Sequence, residues 1–527
     1  MLPRSPRSAV VAATAASLAL AAPASAGTFA TTNPFDISLG DPLAACPPDG
    51  FGTNFPDAEV EPFVDVNPTD PDNIVAIYQQ DRYNNGGSKG NVSSASFDGG
   101  ATWKQVAVPA DTVCTGGQFD RASDPWLSFG PDGTLHAMSL TTDAGPGGPT
   151  GDNGMVYNRS TDGGGSWEAP IILIKDSRAR FLNDKNSITA DPNDASFVYA
   201  VWDRLQSSQG SINNPENVRG LGFKGPIYFT RTTNGGDSWE PARKIWESGA
   251  NKQSLGSQIA VLPASEGGDL LDFFSEFLNA SDRAGHFPRW LSFIRSTDRG
   301  ASWGRVERVD IEFPGSILIG RNGDSTIDVE PVPCPDPTEN GSCPIRSGDF
   351  IPDVAVDRSN GNLYAVWMDI RFDGGFFLVD HDNIAFSMST DGGRSWSPAI
   401  KVNQTPTNEP NYDQQAFTPA VHVSDDGTVT VTYYDFRNNT ADAATLLTDY
   451  FAVHCHANCA NPASWVGNEN RLTPTSFDIR KAPYARGYFL GDYMGLASAG
   501  DDFISVFGQA FAQNDANQYF SRLTPLP

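Results

Sequence analysis

Four acidic residues stand at matching places in this chain, each just ahead of or opening an apolar, strand-like run: Glu61, Asp124, Asp184 (followed by Lys185) and Asp492. Four other runs end in an acidic–basic signature: Asp81-Arg82, Asp203-Arg204, Asp369-x-Arg371 and Asp435-x-Arg437. Carboxylates make directional hydrogen bonds to hydroxyls, and on a neutral sugar two of them would work as an acid/base pair. Guanidiniums beside them chelate carboxylates and donate to hydroxyls. The combination suits recognition of sugars, provided that the fold brings both ends of the chain to one concave mouth. The competing reading is that each Asp–Arg pair is a structural bridge, repeated because the element around it is repeated. No EF-hand spacing, His-based metal motif, nucleophile elbow or phosphate-binding Gly loop is found. No cofactor is therefore expected. The Asx-rich turns NPTDPDN, ADPNDAS and DRSNGN are explained by turn chemistry, with structural calcium left open.

The elements that must position these residues are hairpins. Apolar runs alternating with period two and joined by Asp/Pro/Asn/Gly turns occur at 61–82, 124–140, 184–204, 257–277, 351–371, 418–437 and 491–510. Between them runs an eight-residue pattern, Ser/Thr-x-Asp/Asn-x-Gly-x-x-Trp, in five copies: SFDGGATW (96–103), STDGGGSW (160–167), TTNGGDSW (232–239), STDRGASW (296–303) and STDGGRSW (389–396). Asp tolerates the left-handed turn position and Gly supplies positive φ, so each copy predicts a tight turn with its Trp packed back as an apolar plug. Trp465 stands where a sixth copy would fall. Long interruptions lie at 141–154, 206–226, 279–290 and 311–349.

This repeat is the Asp box, and the chain resembles the β-propellers of the bacterial-neuraminidase-repeat superfamily. The resemblance implies an all-β fold: a single propeller of four-stranded antiparallel blades, with Asp-box turns between the outer strands. Seven hairpins predict seven blades, or six if the last hairpin folds into another blade. Residues 27–60 would close the ring, with 28–39 supplying the missing outer strand. In such a ring the innermost strands start around one mouth, which would gather Glu61, Asp124, Asp184, Lys185 and Asp492.

The chain resembles the sialidases of this superfamily at single positions as well. The fifth hairpin follows their order of strand, turn, acid-x-Arg strand, acid-bearing loop and Asp box. It implies a substrate-binding role for Arg371 and, by repetition, for Arg82, Arg204 and Arg437, with Asp492 beside them. It implies an acid/base among Asp373, Asp380 and Asp382. The Arg of the Phe/Tyr-Arg-Ile-Pro motif is absent from Phe350-Ile351-Pro352. Tyr493, in Asp-Tyr-Met-Gly-Leu, occupies a place similar to the sialidase nucleophile, with Glu61 or Asp124 as its base. The function implied is a glycoside hydrolase of exo-α-sialidase type. The alternatives are another carbohydrate-active propeller, a hydrolase or lyase on acidic polysaccharide, and a non-catalytic glycan- or protein-binding propeller.

Residues 1–26 read as a secretory signal: Arg4 and Arg7, an Ala-rich apolar stretch, then Ala24-Ser25-Ala26 before Gly27. The rest, 27–527, is expected to be secreted as one monomeric propeller domain, without membrane insertion. The six cysteines fit export, and the preferred pairing of the 15 possible is Cys46–Cys114, Cys334–Cys343 and Cys455–Cys459. A net charge of −27 argues against nucleic acid and anionic membranes. A glycan is the expected partner.

Overall fold

The computed structural model describes residues 29–145, 148–207, 223–250, 252–278, 289–313, 326–327, 345–349, 351–373, 381–408, 413–442 and 444–526. Residues 1–28, the Cys334–Cys343 pair, Phe350 and Asp380 lie outside these.

The described chain is almost entirely β, arranged in four-stranded antiparallel sets. The first is Val60–Val66, Ile74–Arg82, Ser88–Ser96 and Lys104–Ala107. The second is Arg121–Phe129, Leu135–Gly145, Gly148–Ser160 and Ile171–Asp176. The third is Phe181–Ala190, Val198–Ser207, Ile227–Thr232 and Arg243–Trp246. The fourth is Gln253–Val261, Leu270–Phe277, Arg289–Ser296 and Val306–Glu312. The fifth is Asp353–Val356, Leu363–Asp369, Asn383–Ser389 and Ile400–Lys401. The sixth is Ala416–Val423, Val429–Asp435, Leu447–Cys455 and Glu469–Arg471. The last is Gly495–Ala499, Asp502–Gln509 and Asn517–Pro525, completed by the N-terminal Phe29–Thr31, which pairs Phe29 with Pro525.

The first strand of each set touches that of the next, and the first strand of the last set returns to touch that of the first. The sets therefore close on themselves. The eight-residue turns show how this closure is written in sequence. Each joins the third strand of a set to the fourth, and each is tied the same way. In the first, Gly100 N–H donates to Ser96 Oγ (2.9 Å), while Thr102 N–H and its hydroxyl donate to the Asp98 carboxylate (2.8 and 2.6 Å). A Cβ on Gly100 would lie 2.4 Å from the Phe520 ring of the last set, and one on Gly300 would lie 2.5 Å from Phe229 of the third. Those glycines are therefore needed for close approach to the neighbouring set as well as for positive φ.

The turn tryptophans fill the seams. Trp103 packs against Phe520 of the last set, Trp167 donates to Ser93 of the first, and Trp239 packs on Tyr157 of the second. Trp303 packs on Phe229 of the third, Trp396 on Phe273 of the fourth, and Trp465 on Phe386 of the fifth. Each plug thus leans on the preceding set. In the sixth set a Cys455–Cys459 disulfide takes the place of the turn, and Trp465 donates to the Cys459 carbonyl (2.9 Å). The last seam is filled by Phe29 from the N-terminal strand, whose ring meets His454 of the sixth set at 4.3 Å. A second disulfide, Cys46–Cys114, ties the N-terminal segment to the first set.

Candidate active site

The inner strands carry a local feature that aims side chains. Ladders of the first, second, third, fourth and sixth sets each slip in register near the start of the inner strand. At each slip one residue is left-handed: Glu61 (φ 56°), Asp124 (φ 47°), Lys185 (φ 45°), Gly256 (φ 73°) and Thr418 (φ 50°). A bulge of this kind turns a side chain out of the ladder. Holding a non-glycine residue there costs about 1–3 kcal/mol, and such strain gathers at functional sites.

Three of those side chains, with Asp492 just ahead of the last inner strand, meet around one ammonium. Lys185 Nζ lies 2.7 Å from Asp492, 3.1 Å from Asp124 and 3.5 Å from Glu61. Arg346 donates through Nε to Asp492 (3.0 Å) and pairs with its other oxygen as well. Its backbone is set by a short strand, Ile345–Arg346, running parallel to Tyr488–Phe489. Gln79 donates to Glu61 and accepts from Arg82 Nη1 (2.6 Å). The Arg82 and Arg346 guanidiniums both lie over the Phe489 ring, at 5.0 and 4.2 Å. Glu61, Asp124, Asp492 and Arg82 are buried, and Arg346 keeps 17 % of its side chain exposed.

Burial and charge split these groups. Burial, then the Asp124 charge, pushes Glu61 up to about 8, against the pull of Lys185. Burial and Asp124 likewise raise Asp184 to about 6. Asp492 goes the other way: burial opposes its charge, but Arg346 and Lys185 hold it well below the usual carboxylate range. Lys185 is raised because Asp124, Asp492 and Glu61 outweigh its desolvation. Burial and neighbouring Arg346 lower Arg82 to about 10. Near neutrality the cluster therefore holds a protonated carboxyl and an ionised one around fixed cations.

Tyr493 adjoins this cluster. Its ring packs against Trp126 at 5.1 Å, and its hydroxyl donates to the Pro125 carbonyl (2.9 Å) rather than to a carboxylate. Burial, then the charges of Glu61 and Asp124, raises its pKa well above the ordinary phenol value. The other arginines singled out in the sequence have different neighbours. Arg204 pairs with Asp176 and lies over Phe181; Arg371 pairs with Asp369 and Asp310; Arg437 pairs with Asp435 and Glu469. Asp203 accepts from Gly256 N–H and the Ser254 hydroxyl, and Asp81 pairs with Lys89, so neither serves the arginine next to it in sequence. Asp382 is buried, its N–H donating to Gln415. Asp373 closes a short 3-10 turn, Arg371–Asp373.

Arg346, Gln79 and Phe489 are the members of the cluster that sequence reasoning missed. Arg346 lies in the 311–349 interruption, which has no periodicity to place it. A cavity of about 250 Å³ runs along the inner strands, bordered among others by Asp65, Ser128, Thr189, Asp353 and Ser498 and by none of Glu61, Asp124, Lys185 and Asp492. Among the described residues no group of three or more His, Cys, Asp or Glu could hold a metal, and no helix is long and apolar enough to cross a membrane.

No family model matches the chain, and no curated protein matches it. Solved structures do resemble it in shape. A protein of unknown function from Dyadobacter fermentans is 12 % identical, over 90 % of this chain and 97 % of that one, with a TM-score of 0.43. The α-L-arabinanase of Penicillium chrysogenum is 12 % identical over 77 % and 93 %, TM-score 0.41. A leech intramolecular trans-sialidase is 11 % identical over 94 % and 98 %, TM-score 0.43. At these scores the likeness assigns nothing to the site, whose chemistry rests on its own residues.

Proposed function

We propose that the chain is an exported, seven-bladed Asp-box propeller that hydrolyses glycosidic bonds at terminal acidic sugars. One observation carries this reading: Glu61 and Asp124, from two inner strands, and Asp492, just ahead of a third, lie within 3.5 Å of one ammonium. Glu61, kept protonated near neutrality, is the general acid that protonates the leaving oxygen. Asp124 is its basic partner. Asp492, tied to Arg346 and Lys185, orients the cations. Arg346, the more exposed of the two stacked guanidiniums, would meet the carboxylate of the sugar.

A tyrosine nucleophile with three arginines on the substrate carboxylate is favoured less. Arg204, Arg371 and Arg437 are each engaged by carboxylates of their own, and the Tyr493 hydroxyl is spent on a backbone carbonyl. A pair of carboxyls, one acting as acid and one as base or nucleophile, is what hydrolysis at an anomeric carbon otherwise uses. The same proposal takes residues 1–26 as a secretory signal, 27–527 as one monomeric domain and a glycan as the partner. The two disulfides and the acidic composition support an extracellular destination.

The test is a panel of aryl glycosides offered to the purified protein: an α-sialoside, a β-glucuronide and an α-arabinofuranoside. Turnover of the first or second, and not the third, is expected. Turnover of none would refute the reading.

A further inference from the structure

Residues 46–57 cross the first set as a strap, bonded to the end of Ile74–Arg82 and to the turn after it. Phe55 N–H donates to the Arg82 carbonyl (2.8 Å), Arg82 N–H to the Ala58 carbonyl (3.2 Å), and Asn84 N–H to the Thr53 carbonyl (2.9 Å). Asp57 N–H donates to the Asp81 carboxylate (2.8 Å), and the Asn54 amide to the Asp81 carbonyl (2.7 Å). The strap therefore holds the backbone of Arg82, whose guanidinium stands over Phe489 in the cluster. Its own core is slight, with Phe55 as its one buried apolar side chain. Segments with few buried apolar contacts open locally, ahead of the fold as a whole.

Two fasteners keep the strap down. The inner one is Arg121, at the start of the second set and fully buried. Its Nε and Nη2 donate to the Asp49 carboxylate (2.6 and 3.1 Å), and Nη2 also to the Phe51 carbonyl. Its Nη1 donates to Asn85 (2.7 Å) and to the Gly86 carbonyl (2.6 Å), so all five of its N–H groups are used. The outer fastener is the Cys46–Cys114 disulfide. Both of its cysteines are half-buried, whereas Cys455 and Cys459 are 0 % and 5 % exposed. A reductant in solution thus has access to the strap's disulfide and not to the one in the sixth set.

Lifting of the strap has a fixed end. Glu59 N–H donates to the Ala516 carbonyl (2.6 Å), and Gln518 to the Glu59 carbonyl (2.7 Å), so the chain from there on belongs to the ring. Asp57, left-handed at φ 60°, marks the junction, where a change of φ swings the strap.

We propose that Cys46–Cys114 is a redox-sensitive fastener: a dithiol that reduces it frees the strap to lift from Arg82 while the ring stays closed. This does not depend on the hydrolysis of a glycoside. One thiolate of the dithiol attacks a sulfur of the pair, the S–S bond breaks, and the departing cysteine thiolate takes up a proton. The second thiol then displaces the mixed disulfide. The dithiol is oxidised to its own disulfide, and two electrons and two protons pass to Cys46 and Cys114. While the disulfide is intact, a lifted strap stays tethered at Cys114 and returns readily; the reduced strap lacks that tether. Once lifted, it leaves the Arg82 N–H and carbonyl without these partners and lets the guanidinium leave the Phe489 ring.

The test is dithiothreitol added to the folded full chain, followed by alkylation with peptide mapping and by hydrogen exchange. Cys46 and Cys114 should be alkylated, and Cys455 and Cys459 should not. Exchange at the Phe55, Arg82 and Asn84 amides should speed up about 10-fold or more, with the peptide around Trp465 unchanged. Cys46→Ser combined with Cys114→Ser should exchange as the reduced parent does and ignore the reagent. Reduction without faster exchange at those three amides, or exchange in the double variant equal to that of the oxidised parent, would overturn the proposal. So would alkylation of Cys455 and Cys459 alongside the other pair, or faster exchange around Trp465, since the ring would then have opened as well.

Discussion

Replacing Trp465 with Ala probes how far the ring depends on its plugs. Trp465 is fully buried, its ring edge-on to Phe386 of the preceding set at 4.9 Å, and its indole N–H serves the Cys459 carbonyl. Emptying a site of this kind costs about 3–5 kcal/mol, and the orphaned carbonyl adds roughly 1 kcal/mol. The control is Phe97→Ala, inside the first eight-residue turn but 51 % exposed, where a change within about 0.5 kcal/mol is expected. Urea unfolding followed by tryptophan fluorescence and by circular dichroism should show a large drop in midpoint for Trp465→Ala and almost none for Phe97→Ala. The double variant with Phe386→Ala should fall short of additivity by about 0.5–1.5 kcal/mol, the worth of an edge-on aromatic pair. Equal midpoints for the two single variants, or strict additivity with Phe386→Ala, would refute the seam-filling role given to these tryptophans.

Lys185→Met should destabilise the fold by about 3–5 kcal/mol, because it strips the central cation from the buried Asp492 carboxylate and the two carboxyl groups beside it; thermal unfolding reads it. Deleting residues 27–36 should expose the edge of Asn517–Pro525 and empty the Phe29 seam, giving self-association by light scattering. Glu61 is raised in the folded state to about 8, so its stabilising proton is fully held below the unfolded carboxyl value and lost as pH climbs through about 8. Asp203, Asp353 and Glu312, each pushed up to about 7 by burial, act in the same direction. Urea midpoints of the parent should therefore fall from pH 5 to 8, and Glu61→Gln should fall less steeply, by at most about 1.4 kcal/mol per pH unit.

Much of the architecture was legible because it is written locally. Alternating runs and Asx turns mark the hairpins, and each Ser–Asp–Gly–Trp turn carries its own hydrogen bonds within eight residues. Aligning the hairpins on their turns was enough to group Glu61, Asp124, Lys185 and Asp492. What escaped was long-range. Nothing in the sequence around Arg346 says that it returns to Asp492, 146 residues on. Adjacent Asp–Arg pairs look like units, yet Arg204 turns to Asp176, and Arg371 and Arg437 reach beyond their neighbours to Asp310 and Glu469. The left-handed bulges at Glu61, Asp124 and Lys185 also give no sequence signal, since none of the three is a glycine.

The most direct test of the central claim is the pH dependence of kcat/KM for the glycoside turned over, measured on the parent and on Glu61→Gln together. Kcat/KM reports the ionisation of the free enzyme's essential acid. The parent should lose activity as pH rises through about 8, where Glu61 gives up its proton. Glu61→Gln should fall at least about 10²-fold near neutrality and lose that alkaline limb. An alkaline limb unchanged in Glu61→Gln, or activity equal to the parent, would contradict the assignment of this cluster as the hydrolytic centre.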